Sequence, residues 1–182
     1  MTITQTKLEG CFIIEPQIFQ DKRGYFLESF NQNTFDKLVG HNDTRFVQDN
    51  ESFSSKGVLR GLHYQLGQHA QAKLVRVVKG TVLDIAVDVR KESPTFGQHV
   101  AVELSGNNKK QFFVPRGFAH GFVVLSDTAL FSYKCDNFYN KEAEGGVIYN
   151  DKTLNIDWKL SINEFEISEK DKLLPTLENA RL

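Results

Sequence analysis

Cysteine is scarce in this chain. The two cysteines, Cys11 and Cys135, stand far apart and in no spacing typical of a metal or redox site. A small secreted domain that depends on disulfides carries more cysteines at closer intervals. The composition therefore argues against a disulfide framework and indicates a reducing compartment, which we take to be the cytoplasm.

Long apolar runs and an excess of basic residues are also absent. No apolar segment approaches the roughly 20 residues that span a bilayer, and residues 1–10 lack the apolar core of a signal peptide. The 22 basic and 23 acidic residues give a net charge of −1, so no basic surface for nucleic acid is indicated. We expect a soluble cytoplasmic protein with neither a membrane nor a nucleic-acid partner.

The chain is rich in hydrophobic residues and in short segments with strand-like patterns. Its 182 residues are 40% hydrophobic and include 15 phenylalanines, which suits a single domain over residues 1–182. Residues 73–79 turn at Lys79-Gly80 into residues 81–90, whose side chains alternate in polarity from Leu83 onward, and the two segments predict a β-hairpin. Seven to nine such strands at regular spacing favour an antiparallel sandwich or barrel.

Helices are few in the predicted pattern. Asn33 to Gly40 predicts one short helix with Asn33 as its cap, and Ser168 to Leu174 predicts another that begins with capping-box spacing. Residues 46–50 predict a strand that leads into a polar loop over residues 51–56. The strands within residues 11–30 are expected to leave an open edge of the sandwich.

The segment Gly57 to Gln65 carries the first chemical signal. Arg60 and His63 stand in a run that is otherwise apolar or aromatic, on one strand's length. A strand that mixes such residues with leucines is expected to face a lined cavity on one side. His63 is the candidate reactive group, and Arg60 a candidate anchor for an anion or a carbonyl.

Two further patterns resemble the motifs of cupin barrels. The Pro-x-Gly-x-x-His spacing ends at His120, and Gly57 precedes His63 at the spacing of the other motif. A metal-binding cupin needs a second histidine where Gln65 stands and a carboxylate within residues 66–69, where there is none. The resemblance implies an all-β, cupin-like antiparallel jelly-roll barrel with a few short helices, one near the C-terminus. We expect no bound metal.

A closer resemblance rests on six motifs that run in order along the chain. They are Asp-Lys-Arg-Gly-Tyr-Phe-Leu-Glu at 21–28, Gly-Val-Leu-Arg-Gly-Leu-His-Tyr-Gln at 57–65, Ala-Lys-Leu-Val-Arg-Val-Val-Lys-Gly at 72–80, Ser-Pro-Thr-Phe-Gly at 93–97, Val-Pro-Arg-Gly-Phe-Ala-His-Gly-Phe at 114–122 and Tyr-Lys-Cys at 133–135. Together they resemble the dTDP-4-dehydrorhamnose 3,5-epimerase family, from about residue 5 to about residue 175.

The resemblance implies four catalytic residues. His63 would remove a proton from sugar carbon 3 or 5, with Asp171 orienting its imidazole. Lys73 would stabilise the enolate oxygen at carbon 4, and Tyr133 would return a proton from the opposite face of the ring. A simple helix-capping role for Asp171 is compatible with this one.

It also implies a binding set for the nucleotide sugar. Arg23 and Arg60 would hold phosphate or sugar oxygens, and Tyr139 would stack on thymine. The other implied contacts are Glu28, Gln48, Asp49, Asn50, His120, Glu144 and Lys170. Gln48, Asn50 and Glu144 could instead be ordinary polar loop residues, and Tyr139 an interface or core aromatic. Asp84 is expected to brace Lys73 or His120 rather than touch the substrate.

The implied activity is epimerisation of a dTDP-4-keto-6-deoxysugar at carbons 3 and 5 without a cofactor. The product would serve rhamnose synthesis for a cell-surface polysaccharide. The resemblance implies a homodimer in which N-terminal strands join the partner's sheet. Three alternatives stay open: an epimerase of one carbon or a ketoisomerase, a non-catalytic cupin that binds nucleotide sugars, and a metal-dependent cupin oxygenase.

Overall fold

The computed structural model describes residues 1–40 and 43–182. Within them lie two α-helices, α1 (Gln32–Val39) and α2 (Glu169–Lys172), and four short 3-10 helices (Gly67–His69, Lys141–Ala143, Ile162–Glu164 and Leu177–Asn179). The strands are β1 (Thr2–Gln5), β2 (Phe12–Glu15), β3 (Ile18–Asp21), β4 (Gly24–Leu27), β5 (Gln48–Ser55), β6 (Val58–Gln65), β7 (Lys73–Lys79), β8 (Thr81–Asp88), β9 (His99–Ser105), β10 (Gln111–Val114), β11 (Phe118–Val124), β12 (Thr128–Cys135), β13 (Glu144–Gly146) and β14 (Glu166–Ile167).

Two sheets face each other and form the barrel. The first has the strand order β1-β2-β10-β7-β12-β5, and the second the order β13-β6-β11-β8-β9, with β14 parallel to β6. A separate two-stranded hairpin consists of β3 and β4. The predicted all-β jelly-roll barrel is confirmed, and so are the hairpin of β7 with β8 and the short helix near the C-terminus.

The hydrophobic core follows from strand alternation. On β8, Val82 and Ala86 face the cluster between the two sheets, whereas Leu83 and Ile85 face a second cluster on the outer side of their sheet. The C-terminal segment, including Trp158, covers that outer cluster. Helix α1 packs Phe35 on the outer face of the first sheet. The barrel therefore has covered faces on both sides, and the space between the sheets is free to form a site at one end.

Two local predictions are wrong, and a third holds for only part of its range. Residues 51–55 are not a polar loop but the second half of β5, which pairs with β12 along its whole length. The open edge expected within residues 11–30 is not at β2, which lies between β1 and β10, but at β3 and β4, which among the described residues pair only with each other. The first helix is capped by Asn31 rather than Asn33, since the Asn31 side chain accepts from the backbone N–H of Thr34.

None of the helices in residues 1–40 and 43–182 has the length and apolar content needed to cross a membrane.

Candidate active site

A cavity of about 700 Å³ opens between the two sheets. The first sheet contributes Asn50, Lys73 and Tyr133, and the second contributes Arg60, His63 and His120, while α2 contributes Lys170 and Asp171. An adjoining recess of about 350 Å³ adds Gln48, Tyr139 and Glu144 and shares Asn50, His63, Lys73 and Tyr133 with the cavity. Eleven of the fourteen predicted site residues thus line one continuous space.

An irregularity in β6 brings Arg60 and His63 to the same cavity. Two residues three positions apart point to opposite faces of a regular strand. Here the pairing of β6 with β11 shifts between His63↔His120 and Arg60↔Phe122, as at a β-bulge. Gly61 allows this approach: its φ is 122°, and a Cβ there would lie 2.6 Å from the Gly121 Cα. The glycine between the two functional residues is therefore a geometric requirement.

His63 is held by a carboxylate from the C-terminal helix. Its Nε2 lies 2.8 Å from Asp171 Oδ1, while Asp171 Oδ2 accepts from the backbone N–H of Gly61 at 3.2 Å. Burial alone would raise the pKa of Asp171, but the hydrogen bond and charge of His63, followed by Gly61 and Ser168, lower it below its ordinary value. An ionised Asp171 accepts the Nε2 proton, which leaves the Nδ1 lone pair of a neutral imidazole available as a base.

The polar groups that face the cavity without a hydrogen-bond partner in the described part of the chain include three that can act on a substrate: His63 Nδ1, the Lys73 ammonium and the Tyr133 hydroxyl. No unsatisfied side-chain atom among the described residues is sealed from solvent, so these groups open to the cavity. Burial lowers the pKa of Lys73 and raises the pKa of Tyr133. A ligand with oxygen atoms and acidic C–H groups would satisfy all three.

His120 stands directly opposite His63 across β6 and β11. Its Nε2 lies 2.9 Å from Asp84 Oδ1 and 3.0 Å from Asp84 Oδ2, and Asp84 is completely buried. The expectation that Asp84 braces His120 is confirmed. The cavity therefore has two imidazole–carboxylate pairs side by side.

The mouth of the cavity carries the groups suited to a nucleotide. Glu144 accepts from Lys170 Nζ at 2.5 Å and from the Tyr139 hydroxyl at 3.2 Å, and Tyr139 is 55% exposed. The exposed Arg60 donates to Ser54 Oγ through Nε and Nη2 at 3.3 and 3.2 Å. Two cations thus line the cavity, and one exposed aromatic ring lines the recess that adjoins it.

Inside the recess, Gln48 Nε2 donates to Asn50 Oδ1 at 2.9 Å, and Asn50 Nδ2 lies 3.7 Å from the Cys135 thiol. These contacts fix the two amide side chains in the wall of the recess. Both residues are on β5, on the face that strand alternation turns toward the barrel interior.

Three predicted binding residues lie outside the cavity of this chain. Arg23 is on the β3–β4 turn, where it pairs with Asp21 at 2.6 Å and is 84% exposed. Glu28 accepts from Asn31 Nδ2 at 3.0 Å before α1. Asp49 is on the outer face of β5, because its neighbours in the strand face inward, and it pairs with Lys134 at 2.7 Å.

The sequence interpretation missed several wall residues, namely Ser52, Phe122, Phe131, Glu166 and Ile167. Ser52 follows Asn50 by two positions on β5, so strand alternation would have found it had residues 51–55 been recognised as strand. Phe122 and Phe131 stack with ring centroids 4.2 Å apart and form an apolar wall beside the polar groups. Nothing in their local sequence separates these phenylalanines from core residues.

A metal centre would need several donor side chains in one place. Among the residues that the structure describes, no three His, Cys, Asp or Glu side chains converge as a metal site would require. Gln65, at the position where a metal-binding cupin has a second histidine, accepts from the Asn140 backbone N–H at 2.8 Å. Gln65 therefore anchors the loop that precedes β13.

Comparison with known proteins adds independent information. The family described as dTDP-4-dehydrorhamnose 3,5-epimerase matches residues 5–179. A protein of that name from Salmonella typhimurium is 52% identical over 182 residues, which cover 100% of this chain and 98% of the relative.

Two solved epimerase structures also match this chain over nearly its whole length. The crystal structure of dTDP-4-dehydrorhamnose 3,5-epimerase from Elizabethkingia anophelis superposes on this chain with a TM-score of 0.94. The two sequences are 58% identical, and the match covers 98% of this chain and 97% of that protein's chain. A dTDP-6-deoxy-D-glucose-3,5-epimerase from Legionella pneumophila, solved in complex with dTDP-4-keto-L-rhamnose, is 51% identical, covers 98% and 93% of the two chains and also has a TM-score of 0.94.

Proposed function

The chain belongs to the dTDP-4-dehydrorhamnose 3,5-epimerase family, and we infer that it converts dTDP-4-dehydro-6-deoxy-D-glucose into dTDP-4-dehydro-L-rhamnose. It is an isomerase that inverts carbons 3 and 5 of a dTDP-linked keto sugar. Its product serves rhamnose synthesis.

One observation carries the mechanism: His63 Nδ1, Lys73 Nζ and Tyr133 Oη line one cavity and have no hydrogen-bond partner among residues 1–40 and 43–182. Carbons 3 and 5 both flank the carbonyl at carbon 4, so removal of either proton gives an enolate. His63 removes the proton, and its Nε2 stays hydrogen-bonded to Asp171 as positive charge develops on the ring.

Lys73 and Tyr133 complete the reaction. The Lys73 ammonium stabilises the charge that develops on oxygen 4, an electrostatic effect worth about 3 kcal/mol in a site that excludes water. Tyr133 donates a proton to the face opposite His63, which inverts the carbon. The high pKa of Tyr133 keeps its phenol protonated for that step. No residue of the chain needs to change its oxidation state.

The remaining contacts hold the nucleotide. Arg60 and Lys170 bind the diphosphate, since both cations border the opening. Tyr139 stacks on the thymine ring from its exposed position, and Glu144 fixes its hydroxyl. Gln48, Asn50 and His120 donate to or accept from polar groups of the nucleotide sugar. Asp49 influences the site through its ion pair with Lys134 rather than by contact with the substrate.

We further propose that the protein is a homodimer in which the β3–β4 hairpin completes the partner's site. Within the described residues this hairpin pairs with no other strand, and it exposes Ile18, Phe19, Tyr25 and Phe26. A hairpin with two open edges and exposed aromatic side chains is suited to join another sheet. Arg23 and Glu28 would then reach the cavity of the other subunit. This arrangement accounts for their position outside the cavity of their own subunit.

A mixing experiment tests this arrangement. Co-expressed Arg23→Ala and His63→Ala subunits should form hybrid dimers in which one site has both intact groups, and statistical assembly should restore about a quarter of wild-type activity. Sedimentation velocity should give a dimer. Hybrids as inactive as the parent variants, or a monomer with full activity, would contradict the proposal.

The activity itself is tested by incubating the protein with dTDP-4-dehydro-6-deoxy-D-glucose in heavy water and following the sugar by NMR. The expected product has deuterium and inverted configuration at both carbons. Exchange and inversion at one carbon would identify a single-position epimerase, and a relocated carbonyl a ketoisomerase. Binding without exchange would identify a binding protein, and loss of activity with a chelator would favour a metal-dependent cupin.

We also propose that the enzyme works in the cytoplasm. The two cysteines support this location, because both are buried free thiols in the structure.

A further inference from the structure

Asp84 is a buried carboxylate to which the proposed mechanism assigns no role. It lies on β8 with 0% exposure, and it is diagonal to His120, whose directly opposed residue on that strand is Ala86. Both carboxylate oxygens are within 3.0 Å of His120 Nε2. A buried carboxylate destabilises a fold unless cations and hydrogen bonds compensate it.

Two neighbouring side chains, His120 and Lys73, provide that compensation. Burial raises the pKa of Asp84, and the interaction with His120, followed by the charge of Lys73, opposes that rise. Both side chains line the cavity. The carboxylate is thus placed behind two side chains that face the substrate, and it does not itself line the cavity wall.

The contact with Asp84 determines which edge of His120 faces the substrate. A ring nitrogen between two carboxylate oxygens carries its proton, so Nε2 donates to Asp84. Nδ1 has no partner in the described part of the chain and stays accessible. It therefore presents a lone pair to the cavity, suited to accept a hydrogen bond from a sugar hydroxyl.

We propose that Asp84 is a positioning residue for epimerisation: through its two contacts with Nε2 it fixes His120 with Nδ1 turned to a sugar hydroxyl. This inference rests on the proposed function. It assigns the orientation of a substrate contact to one buried side chain.

The charge of Asp84 also bears on Lys73, which lines the same cavity as His120. Burial lowers the pKa of Lys73, and three groups oppose that effect: Cys135, Asp84 and Glu144. Further titratable or charged groups that line the cavity and its recess are Glu51, Arg60, His63, Tyr64, His120, Tyr133, Tyr139, Glu166, Lys170 and Asp171. Cys135 is itself buried and has a pKa of about 11. At neutral pH its thiol is therefore uncharged, and the negative charges near Lys73 are those of Asp84 and Glu144.

Asp84→Asn removes the charge and keeps the shape. The pKa of Lys73 should fall further, so the decline of kcat at alkaline pH should begin at lower pH than in the wild type. We expect kcat at neutral pH to decrease about tenfold or more, with KM changed much less. Asp88→Asn is the matched control, because Asp88 is also completely buried on β8 but binds Arg90, Ser93 and Thr95. The control should lower thermal stability and leave the pH profile of kcat unchanged.

A second measurement requires neither that Asp84→Asn folds nor that the protein is active. Two-bond ¹⁵N–¹H correlation spectra of the wild-type protein, assigned with His120→Gln, should show His120 protonated at Nε2 and unprotonated at Nδ1 at about pH 8. A wild-type protein without epimerase activity would refute the proposed function, while these spectra would still decide the placement of His120. An Nδ1–H tautomer, or an Asp84→Asn enzyme with wild-type kcat and an unshifted alkaline limb, would overturn the inference.

Discussion

Asp171 Oδ1 lies 2.8 Å from His63 Nε2, although the two residues are 108 positions apart in the chain. One stands at the bulge of β6 and the other in a single-turn helix capped by Ser168. The His63 side chain remains 31% exposed, whereas the Asp171 side chain is 6% exposed. The carboxylate is thus sealed behind an imidazole whose other edge is open to the cavity.

Asp171→Asn should therefore impair chemistry rather than binding. An amide can donate to Nε2 and stabilise the wrong tautomer, which removes the base from Nδ1. We expect kcat to fall about a hundredfold or more, while the affinity for dTDP measured by calorimetry stays close to wild type. Glu169→Gln on the same helix is the control, because its side chain is 87% exposed. Equal losses in both variants would show that the helix, not the carboxylate, is what matters.

Lys73→Met should also separate turnover from binding. Removing one electrostatic donor to a developing oxyanion typically lowers kcat about a hundredfold to a thousandfold. The matched control is Lys79→Met, at the exposed end of the same strand. Steady-state kinetics of both variants test the role, and an increase in KM with unchanged kcat would assign Lys73 to ground-state binding instead.

The pH profile of the wild-type enzyme follows from two opposite shifts. Burial lowers the pKa of Lys73 below its ordinary value of 10.5 and raises the pKa of Tyr133 above its ordinary value of 10.0. Both groups act in their protonated forms, so activity is lost as pH rises through either pKa. We expect kcat to decline at a pH below 10.5. A constant kcat up to that pH would contradict the assignment of Lys73.

Gly61→Ala tests the bulge that brings Arg60 and His63 together. Besides the positive φ, the new methyl group would lie 2.6 Å from the Gly121 Cα and 2.8 Å from the His120 carbonyl oxygen. Gly67→Ala isolates the cost of a positive φ, since Gly67 has a φ of 55° and a Cβ added there would meet nothing within 4 Å. Strain of this kind destabilises by about 1–3 kcal/mol. Denaturant unfolding should show a clearly larger loss for Gly61→Ala, and equal losses would mean that the contact with β11 relaxes freely.

The chemistry-bearing strands were largely predictable from the sequence. The polar residues at 60, 63, 73 and 133 interrupt apolar strands, and the motifs around them have a recognisable order. Hydrophobic alternation also located the hairpin of β7 and β8.

Other features depend on contacts that no local pattern encodes. Regular alternation would place Arg60 and His63 on opposite faces, and only the bulge at Gly61 reconciles them. Residues 51–55 are mostly polar because their side chains alternate between the cavity and solvent at the edge of a sheet. Their composition alone therefore favoured a loop. Arg23 and Glu28 carry the family's motif but stand outside their own subunit's cavity, which sequence spacing cannot indicate.

The most direct test of the central claim, that His63 and Tyr133 act on opposite faces of one sugar ring, is a comparison of deuterium exchange with inversion in two variants. His63→Ala should abolish both in heavy water, because no proton is removed. Tyr133→Phe should retain exchange at carbon 3 or 5 while inversion falls far more, because His63 can return a deuteron only to the face it took the proton from. Exchange and inversion that fall in parallel in Tyr133→Phe would contradict the account.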